Sequence, residues 1–381
     1  MTARRAAIFC RTYLPYSETF IHDQLRHHVR WQAEVFCRKT ANLDRFPHPW
    51  ITTPGNPAAV LSYRATTWSQ RFARRLREGG HRLLHAHFGT SGVYALTYAR
   101  RLRLPLAVTF HGYDLGALVG SRRFEPRLWR YWALSRSLLQ RADLFLCPSV
   151  EFQEILARLS GRPDAARLHR LGIDLTRFAA RPRVGGAAPR VVMIGRFVEK
   201  KGHLDGLEAF ARAAATAPDA GLVLVGGGPL EAAYRARIAA LGLEGKVELP
   251  GVLPADRVAA LLGESDVLLA PSRLARDGDR ESGVIVVKEA SASALPVIGT
   301  RHGGIPEIVD DGVTGTLVEE GDIDAMAERL GALLGDAALR ARLGAAGRAK
   351  MEREYDVRAQ VAELERVYDE LAGLSSGASA P

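Results

Sequence analysis

Short apolar runs alternate along the whole chain with longer stretches whose apolar positions recur every three or four residues. Strand, helix, strand in repetition is the pattern of a parallel α/β sheet, because parallel neighbours need a crossover and the crossover is usually a helix. The strand candidates of the first half are AAIFC from Ala6, AEVFC from Ala33, RLLHAH from Arg82, LAVTF from Leu106 and DLFLC from Asp143. The alternation halts at the turn-rich RPRVGGAAPR, Arg181–Arg190, and then resumes. The later candidates are VVMIG from Val191, GLVLVG from Gly221, KVELP from Lys246, DVLLAP from Asp266, LPVIG from Leu295 and GTLV from Gly315. This pattern predicts domains over residues 1–184 and 185–355. A C-terminal helix and small-residue tail follow over 356–381, the helix being a candidate to cross back to the first domain. No fixed-period repeat suggests a solenoid or a propeller.

Charge supports the same division. Residues 1–184 hold 30 Lys+Arg against 12 Asp+Glu, a net +18, whereas residues 185–381 carry −8. A basic half suits an anionic partner: nucleic acid, an acidic membrane surface or a phosphate-bearing substrate; Arg-rich solvated helix faces give the same count. The stretch WRYWALSRSLLQR, Trp129–Arg141, mixes aromatics, leucines and arginines, so it is a candidate for peripheral membrane contact or an ordinary core-facing helix. Cys10, Cys37 and Cys147 are odd in number and contain no C-x-x-C pair, which argues against a disulfide framework or zinc site and fits a reducing cytoplasm. Ala6–Cys10 is too short for a signal-peptide core. No run reaches the ~18 apolar residues of a membrane span. The expected location is cytoplasmic, with the inner face of the membrane as a candidate site.

Candidate chemistry gathers at turns that follow strands, where parallel sheets open a ligand crevice. Gly195–Gly202, GRFVEKKG, places Arg196 and Lys201 between a strand and a helical pattern from His203, so both cations can meet an anion beside a helix N-terminus, or can simply be surface charge. Gly226, Gly227 and Gly228 follow the next strand and permit close backbone approach. Glu281 and Glu289 flank the start of a helix expected near Val284. Their carboxylates can accept paired bonds from sugar hydroxyls, although a helix-terminal acid with an exposed partner gives the same pattern.

Taken together, GRFVEKKG, GGGPL, Glu281-x7-Glu289 and GGIPEIVDDGVTG, with HAHFG, TFHGYD and LGIDLTRF upstream, resemble retaining glycosyltransferase family four. The resemblance implies the GT-B fold, an α/β architecture of two facing Rossmann-like domains with parallel sheets. It also implies a nucleotide-sugar-dependent, retaining enzyme of the hexosyltransferase type. SETF, Ser17–Phe20, resembles a subgroup linked to exopolysaccharide assembly, and this points to polysaccharide or glycoconjugate biosynthesis. By the same resemblance Arg196 and Lys201 meet the donor pyrophosphate, Glu289 the ribose and Glu281 the donor sugar. Gly283, Val284 and Ile285 offer backbone N–H groups, glycines 226–228 border the nucleotide, and His111 takes the active-site histidine position of the acceptor domain. His87, Asp114 and Ser17 are acceptor-side candidates.

The implied partners are a UDP- or GDP-sugar donor and a sugar, lipid-linked or small-molecule acceptor, without nucleic acid, cofactor or divalent metal. Asp277–Asp279 reads as a solvated turn, and His85 with His87 lacks a third ligand in sequence. Two departures stand out: Arg11–Phe20 has no glycine where the family commonly has a glycine-rich loop, and Ala294 occupies a position that is often glycine. Competing readings are a small natural-product glycosyltransferase, a sugar-nucleotide epimerase or phosphorylase of the same fold, a nicotinamide or flavin oxidoreductase, and a non-enzymatic anion binder. The oxidoreductase lacks its G-x-G-x-x-G, and the anion binder leaves the paired glutamates unexplained.

Overall fold

The computed structural model describes residues 4–15, 18–121, 125–178 and 188–374. The chain forms two units, one comprising residues 1–172 with 357–381 and the other residues 173–356.

The first unit runs β1 (Arg4–Tyr13), α1 (Thr19–Arg26), β2 (Trp31–Thr40), β3 (Ile51–Thr52), α2 (Pro57–Thr66), α3 (Gln70–Glu78) and β4 (His81–His87). It continues with α4 (Gly89–Leu102), β5 (Leu106–Thr109), α5 (Tyr113–Val119), α6 (Trp129–Arg141), β6 (Leu144–Cys147), α7 (Val150–Ser160) and β7 (Ala166–Leu168). Its sheet is parallel throughout, in the order β3-β2-β1-β4-β5-β6-β7. Both faces are covered, which is why its strands read as mainly apolar runs, broken only by buried polar groups such as Glu34 in β2 and His85 in β4. Ala7 and Phe9 enter a core with Phe36, Phe72 and Tyr98 on one face; Ala6 and Ile8 enter another with Val35 and Leu83 on the other.

The second unit runs β8 (Arg190–Ile194), α8 (His203–Ala213), β9 (Gly221–Val225), α9 (Glu231–Ala240), β10 (Val247–Gly251), α10 (Ala255–Gly263) and β11 (Val267–Ala270). It is completed by α11 (Ile285–Ala292), β12 (Val297–Thr300), α12 (Ile305–Ile308), β13 (Gly315–Val318), α13 (Ile323–Gly335) and α14 (Ala337–Glu354). The order β10-β9-β8-β11-β12-β13 is the doubly wound 3-2-1-4-5-6 arrangement, so its crevice lies beyond the carboxyl ends of β8 and β11.

The division falls at Gly172/Ile173 rather than at the 184/185 break expected from charge and composition. The reason is local pairing: Ile173 N–H donates to Tyr355 O at 2.8 Å, and Phe178 is buried in the core of the second unit. Residues 179–187, which carry most of the turn-rich break, lie outside the described residues. Ala294 adopts φ 55°, in the left-handed region, which accounts for the glycine preference at such a position.

The last helix, α15 (Val357–Leu371), belongs to the first unit. Its Leu364, Val367 and Tyr368 join the core that holds Ile8 and Val35. Glu365 Oε1 accepts from three successive backbone N–H groups, Val29 at 2.9 Å, Arg30 at 2.9 Å and Trp31 at 3.1 Å, at the entrance of β2. Asp369 accepts from Trp31 Nε1 at 3.0 Å and pairs with Arg4 and Arg30. Burial alone would push the Glu365 carboxyl up, but His28 and the strand amides outweigh it and hold the value at about 2.

This carboxylate stabilises the fold fully above its unfolded-state value of 4.5, and the contribution is lost as pH falls toward about 2. Glu365→Ala, which orphans three amides, is therefore expected to lower the stability of the first unit by roughly 3 kcal/mol or more at neutral pH. The difference between wild type and Glu365→Gln in urea midpoint should shrink from pH 7 to pH 3. A gap that widens on acidification would contradict the assignment.

Candidate active site

Four loops meet at the crevice of the second unit: Gly195–Gly202 after β8, Gly226–Gly228 after β9, residues 271–284 after β11 and residues 301–304 after β12. Backbone bonds tie them together. Phe197 N–H donates to Gly227 O at 2.9 Å, Leu230 N–H to Phe197 O at 3.2 Å and Arg273 N–H to Lys200 O at 2.9 Å. Gly226, at φ +146°, has no room for a side chain, since a Cβ would lie 1.9 Å from Gly195 O. The glycine triplet thus lets two ligand-facing loops touch.

Lys201 Nζ lies 2.9 Å from Glu281 Oε1, and both side chains are largely buried. Burial would raise the Glu281 carboxyl, but the charges of Lys201 and Lys200 prevail and hold it at about 2, so it is an anion at any physiological pH. The backbone of Glu281 is fixed as well. Its N–H donates to His302 Nε2 at 3.2 Å, which makes Nδ1 the protonated nitrogen of that ring, facing Glu320 Oε1 at 2.6 Å. Gly303, at φ +55°, packs so closely that a Cβ would stand 2.4 Å from Glu281 O. The GGIPE stretch therefore serves to seat Glu281, a role its sequence did not reveal.

The helix expected near Val284 is α11, with Val284 as its N-cap. Val284 has φ 28°, a strained value for a β-branched residue. Gly283 and Val284 are buried at the head of α11 and Ile285 is half-buried, while Glu289 lies half-buried one turn inside. Arg196 is exposed and has no ion-pair partner among the described residues. Lys201 and Glu281 are thus brought together, and Arg196 stands as the uncompensated charge of the β8 loop.

The Asp277–Asp279 stretch is not the solvated turn expected from sequence. Asp279 is 3% exposed and accepts from buried Lys200 Nζ at 3.1 Å, while Asp277 Oδ1 accepts the N–H of Asp279 at 2.9 Å. The neighbouring lysine, indistinguishable from Lys201 in sequence, accounts for the burial.

In the first unit, His87 ends β4 and His111 follows β5, and their rings are joined by a 3.1 Å contact from His87 Nδ1 to His111 Nε2. Phe20 and Phe88 flank His111, with ring centroids 4.8 and 4.5 Å away. Burial lowers both histidines, His87 to about 3, and their mutual repulsion lowers His111 further, so both are neutral. His85 is a core residue held by Tyr368 OH at 2.6 Å and Thr109 Oγ1 at 2.7 Å. Asp114 is completely buried and accepts from the backbone N–H groups of Gly89, His111, Gly112 and Leu115 at 2.7–3.1 Å. Burial lifts it to about 6 against those amides. Its carboxylate organises the loop that carries His111. Ser17 lies outside the described residues.

The fold has solved counterparts. The Anabaena protein HepE, in complex with UDP, matches with a TM-score of 0.77 at 19% identity, covering 96% of this chain and 100% of that one. Two Rossmann-like parallel-sheet units of this kind are the GT-B fold. Family models agree: "Glycosyltransferase Family 4" matches residues 17–177 and "Glycosyl transferases group 1" residues 178–350. A Salmonella typhimurium protein described as "Putative colanic acid biosynthesis glycosyltransferase WcaL" is 35% identical over 337 residues, 81% of this chain and 80% of that protein. Its Escherichia coli counterpart is 34% identical over 250 residues, 65% of this chain and 60% of its own length. The chain belongs to glycosyltransferase family 4.

The ion pair makes a measurable claim. Lys201→Met and Glu281→Gln should each destabilise the second unit, since each leaves a buried partner uncompensated. The double variant should lose less than the sum, with a coupling of about 1–3 kcal/mol in denaturant unfolding. Strictly additive losses would mean that the two side chains do not support each other.

Proposed function

We propose that the chain moves a sugar, with retention at the anomeric carbon, from a UDP- or GDP-sugar to an acceptor hydroxyl during synthesis of a polysaccharide or other glycoconjugate. The observation that carries the reading is the buried Lys201–Glu281 pair, set among four loops at the switch point of the second unit beside the head of α11. Departure of the diphosphate breaks the bond from the anomeric carbon to oxygen, placing positive charge on the sugar and negative charge on the leaving group. Arg196, uncompensated, and the N–H groups of Gly283, Val284 and Ile285 stabilise that negative charge as it develops. Lys201 shares this task and also holds Glu281 in place for the donor sugar hydroxyls, while Glu289 accepts from the ribose and glycines 226–228 border the nucleotide. The acceptor oxygen forms the new bond on the departing face, and its proton passes to the diphosphate, so no protein nucleophile is used. His111 takes the active-site histidine role of the acceptor domain as a neutral ring, positioned by His87 and by the loop that Asp114 organises.

Divalent metal is not needed in this scheme. The acidic pair nearest Glu281 is already engaged, Asp279 by Lys200 and Asp277 by a backbone amide. Arg196→Ala should lower turnover about a hundredfold, the scale of removing one preorganised donor, whereas Glu289→Ala should chiefly weaken nucleotide binding. Wild-type turnover should persist in excess EDTA. Abolition by chelation with rescue by magnesium, or unchanged nucleotide affinity in Glu289→Ala, would each remove the corresponding assignment. Product analysis with labelled donor separates transfer from epimerisation.

No helix of the described residues is long and apolar enough to cross a membrane. A peripheral contact is supported instead by α6. Tyr131, Ser135, Leu138 and Leu139 face the core, whereas Trp129 and Trp132 are 63% and 55% exposed, at helical spacing with exposed Arg136. Paired tryptophans beside a cation suit the headgroup region of an anionic bilayer. Co-sedimentation with phosphatidylglycerol vesicles should drop several-fold in the Trp129→Ser, Trp132→Ser double variant, and equal binding by both proteins would exclude α6 as the contact.

A further inference from the structure

A second cluster of charge lies at the carboxyl end of the first unit's sheet. Phe9 of β1 and Phe36 of β2 stack at 5.3 Å in register, so two residues later Arg11 and Arg38 emerge side by side on the same face. They line a shallow cleft together with Phe9, Cys10, Tyr63, Tyr94 and Ser91. Neither arginine has a carboxylate partner among the described residues. The charged groups that face Arg38 are two further cations, Arg11 and Arg64, and burial together with these cations depresses its guanidinium below the ordinary value. Arg130 adds a further cation, with its guanidinium 6.0 Å from the ring centre of Tyr94.

Two observations indicate that this charge awaits a ligand. Ser91, in the first turn of α4, is only 3% exposed, yet its hydroxyl oxygen is buried without a hydrogen-bond partner while lining the cleft. A buried hydroxyl left unpaired is unfavourable unless something supplies the bond. The cleft also borders the point where the strand order reverses, since Arg11 lies on β1 and Ser91 on the helix that follows β4, at the sheet end that carries His87 and His111.

We infer that this cleft binds an oxyanion, a phosphate or carboxylate carried by the acceptor, through the paired guanidinium groups of Arg11 and Arg38 and the Ser91 hydroxyl. The inference rests on the glycosyltransferase reading only in naming the acceptor as the carrier; the anion site stands on its own residues. Arg11 and Arg38 offer planar forks that match phosphate or carboxylate oxygens, and Ser91 donates a third bond. Selection of a charged acceptor over a neutral sugar follows, because the neutral sugar leaves the half-buried Arg38 and its neighbour Arg11 without a counter-charge.

The test titrates the full chain by calorimetry with inorganic phosphate, glucose 1-phosphate, methyl glucoside and UDP, in wild type, the Arg11→Gln, Arg38→Gln double variant and Ser91→Ala. Phosphate and glucose 1-phosphate should bind the wild type, weaken about tenfold or more in the double variant and weaken measurably in Ser91→Ala, while UDP affinity is unchanged in all three. Phosphatidylcholine vesicles with and without polyprenyl phosphate distinguish the source. Retention that depends on both the lipid phosphate and the two arginines assigns a lipid-linked acceptor, and a response confined to glucose 1-phosphate assigns a soluble one. Equal phosphate affinity in wild type and the double variant, or none in the wild type, overturns the inference. Failure of UDP and GDP to bind the wild type would instead count against the glycosyltransferase reading and leave the phosphate arms intact.

Discussion

A parallel sheet buried on both faces leaves few places for polar side chains to gather, and the rest of this molecule follows from that restriction. The strand interiors are committed to core, as the unbroken apolar runs of β1 and β8 show. Chemistry therefore gathers at the carboxyl ends of the strands and in the loops beyond them. In the second unit those loops hold Lys201, Glu281 and the head of α11; in the first, His87 closes β4, His111 follows β5, and Arg11 and Arg38 stand near the ends of β1 and β2. Each cluster is small because a few loop residues must also satisfy the backbone around them.

Two buried glutamates illustrate how partners decide between similar environments. Glu281 and Glu365 are both nearly inaccessible and both held at about 2, against the direction in which burial pushes them. For Glu281 the opposing force is lysine charge, a partner that a bound anion can compete for. For Glu365 it is His28 and a row of fixed backbone amides, which no ligand replaces. The first arrangement can respond to a substrate, and the second can only hold the fold. Asp114 has the second's structural role, since four amides claim its carboxylate, but there burial prevails and lifts it to about 6.

The strands were legible because burial on two faces writes itself into the sequence as apolar runs, and all eleven such runs lie in or over strands. The omissions were β3 and β7, two and three residues long at opposite edges, too short to show any period. The N-terminus of α11 was placed correctly from the glycine turn before it. Less visible were contacts made across long separations. Lys200 and Lys201 are adjacent and identical in type, yet one pairs with Asp279 and the other with Glu281, a choice fixed by the 3-10 turn Glu199–Lys201. Glu365 and Asp369 read as ordinary charges one helical turn apart, because the strand entrance they cap lies more than 300 residues earlier.

That last contact has a consequence for how the polypeptide is made. The first unit is discontinuous: residues 357–381 complete a body begun at the N-terminus, with the whole second unit inserted between. During vectorial synthesis the early strands emerge long before α15, and until it arrives Ile8, Val35 and Leu83 lack the apolar cover of Leu364, Val367 and Tyr368, while the amides of Val29, Arg30 and Trp31 lack their acceptor. The inserted unit contains all of its own strands and can mature first on the ribosome, reversing the usual N-to-C order. A nascent chain stalled before residue 357 exposes a sticky sheet face, so the final helix acts as the closing signal of biogenesis.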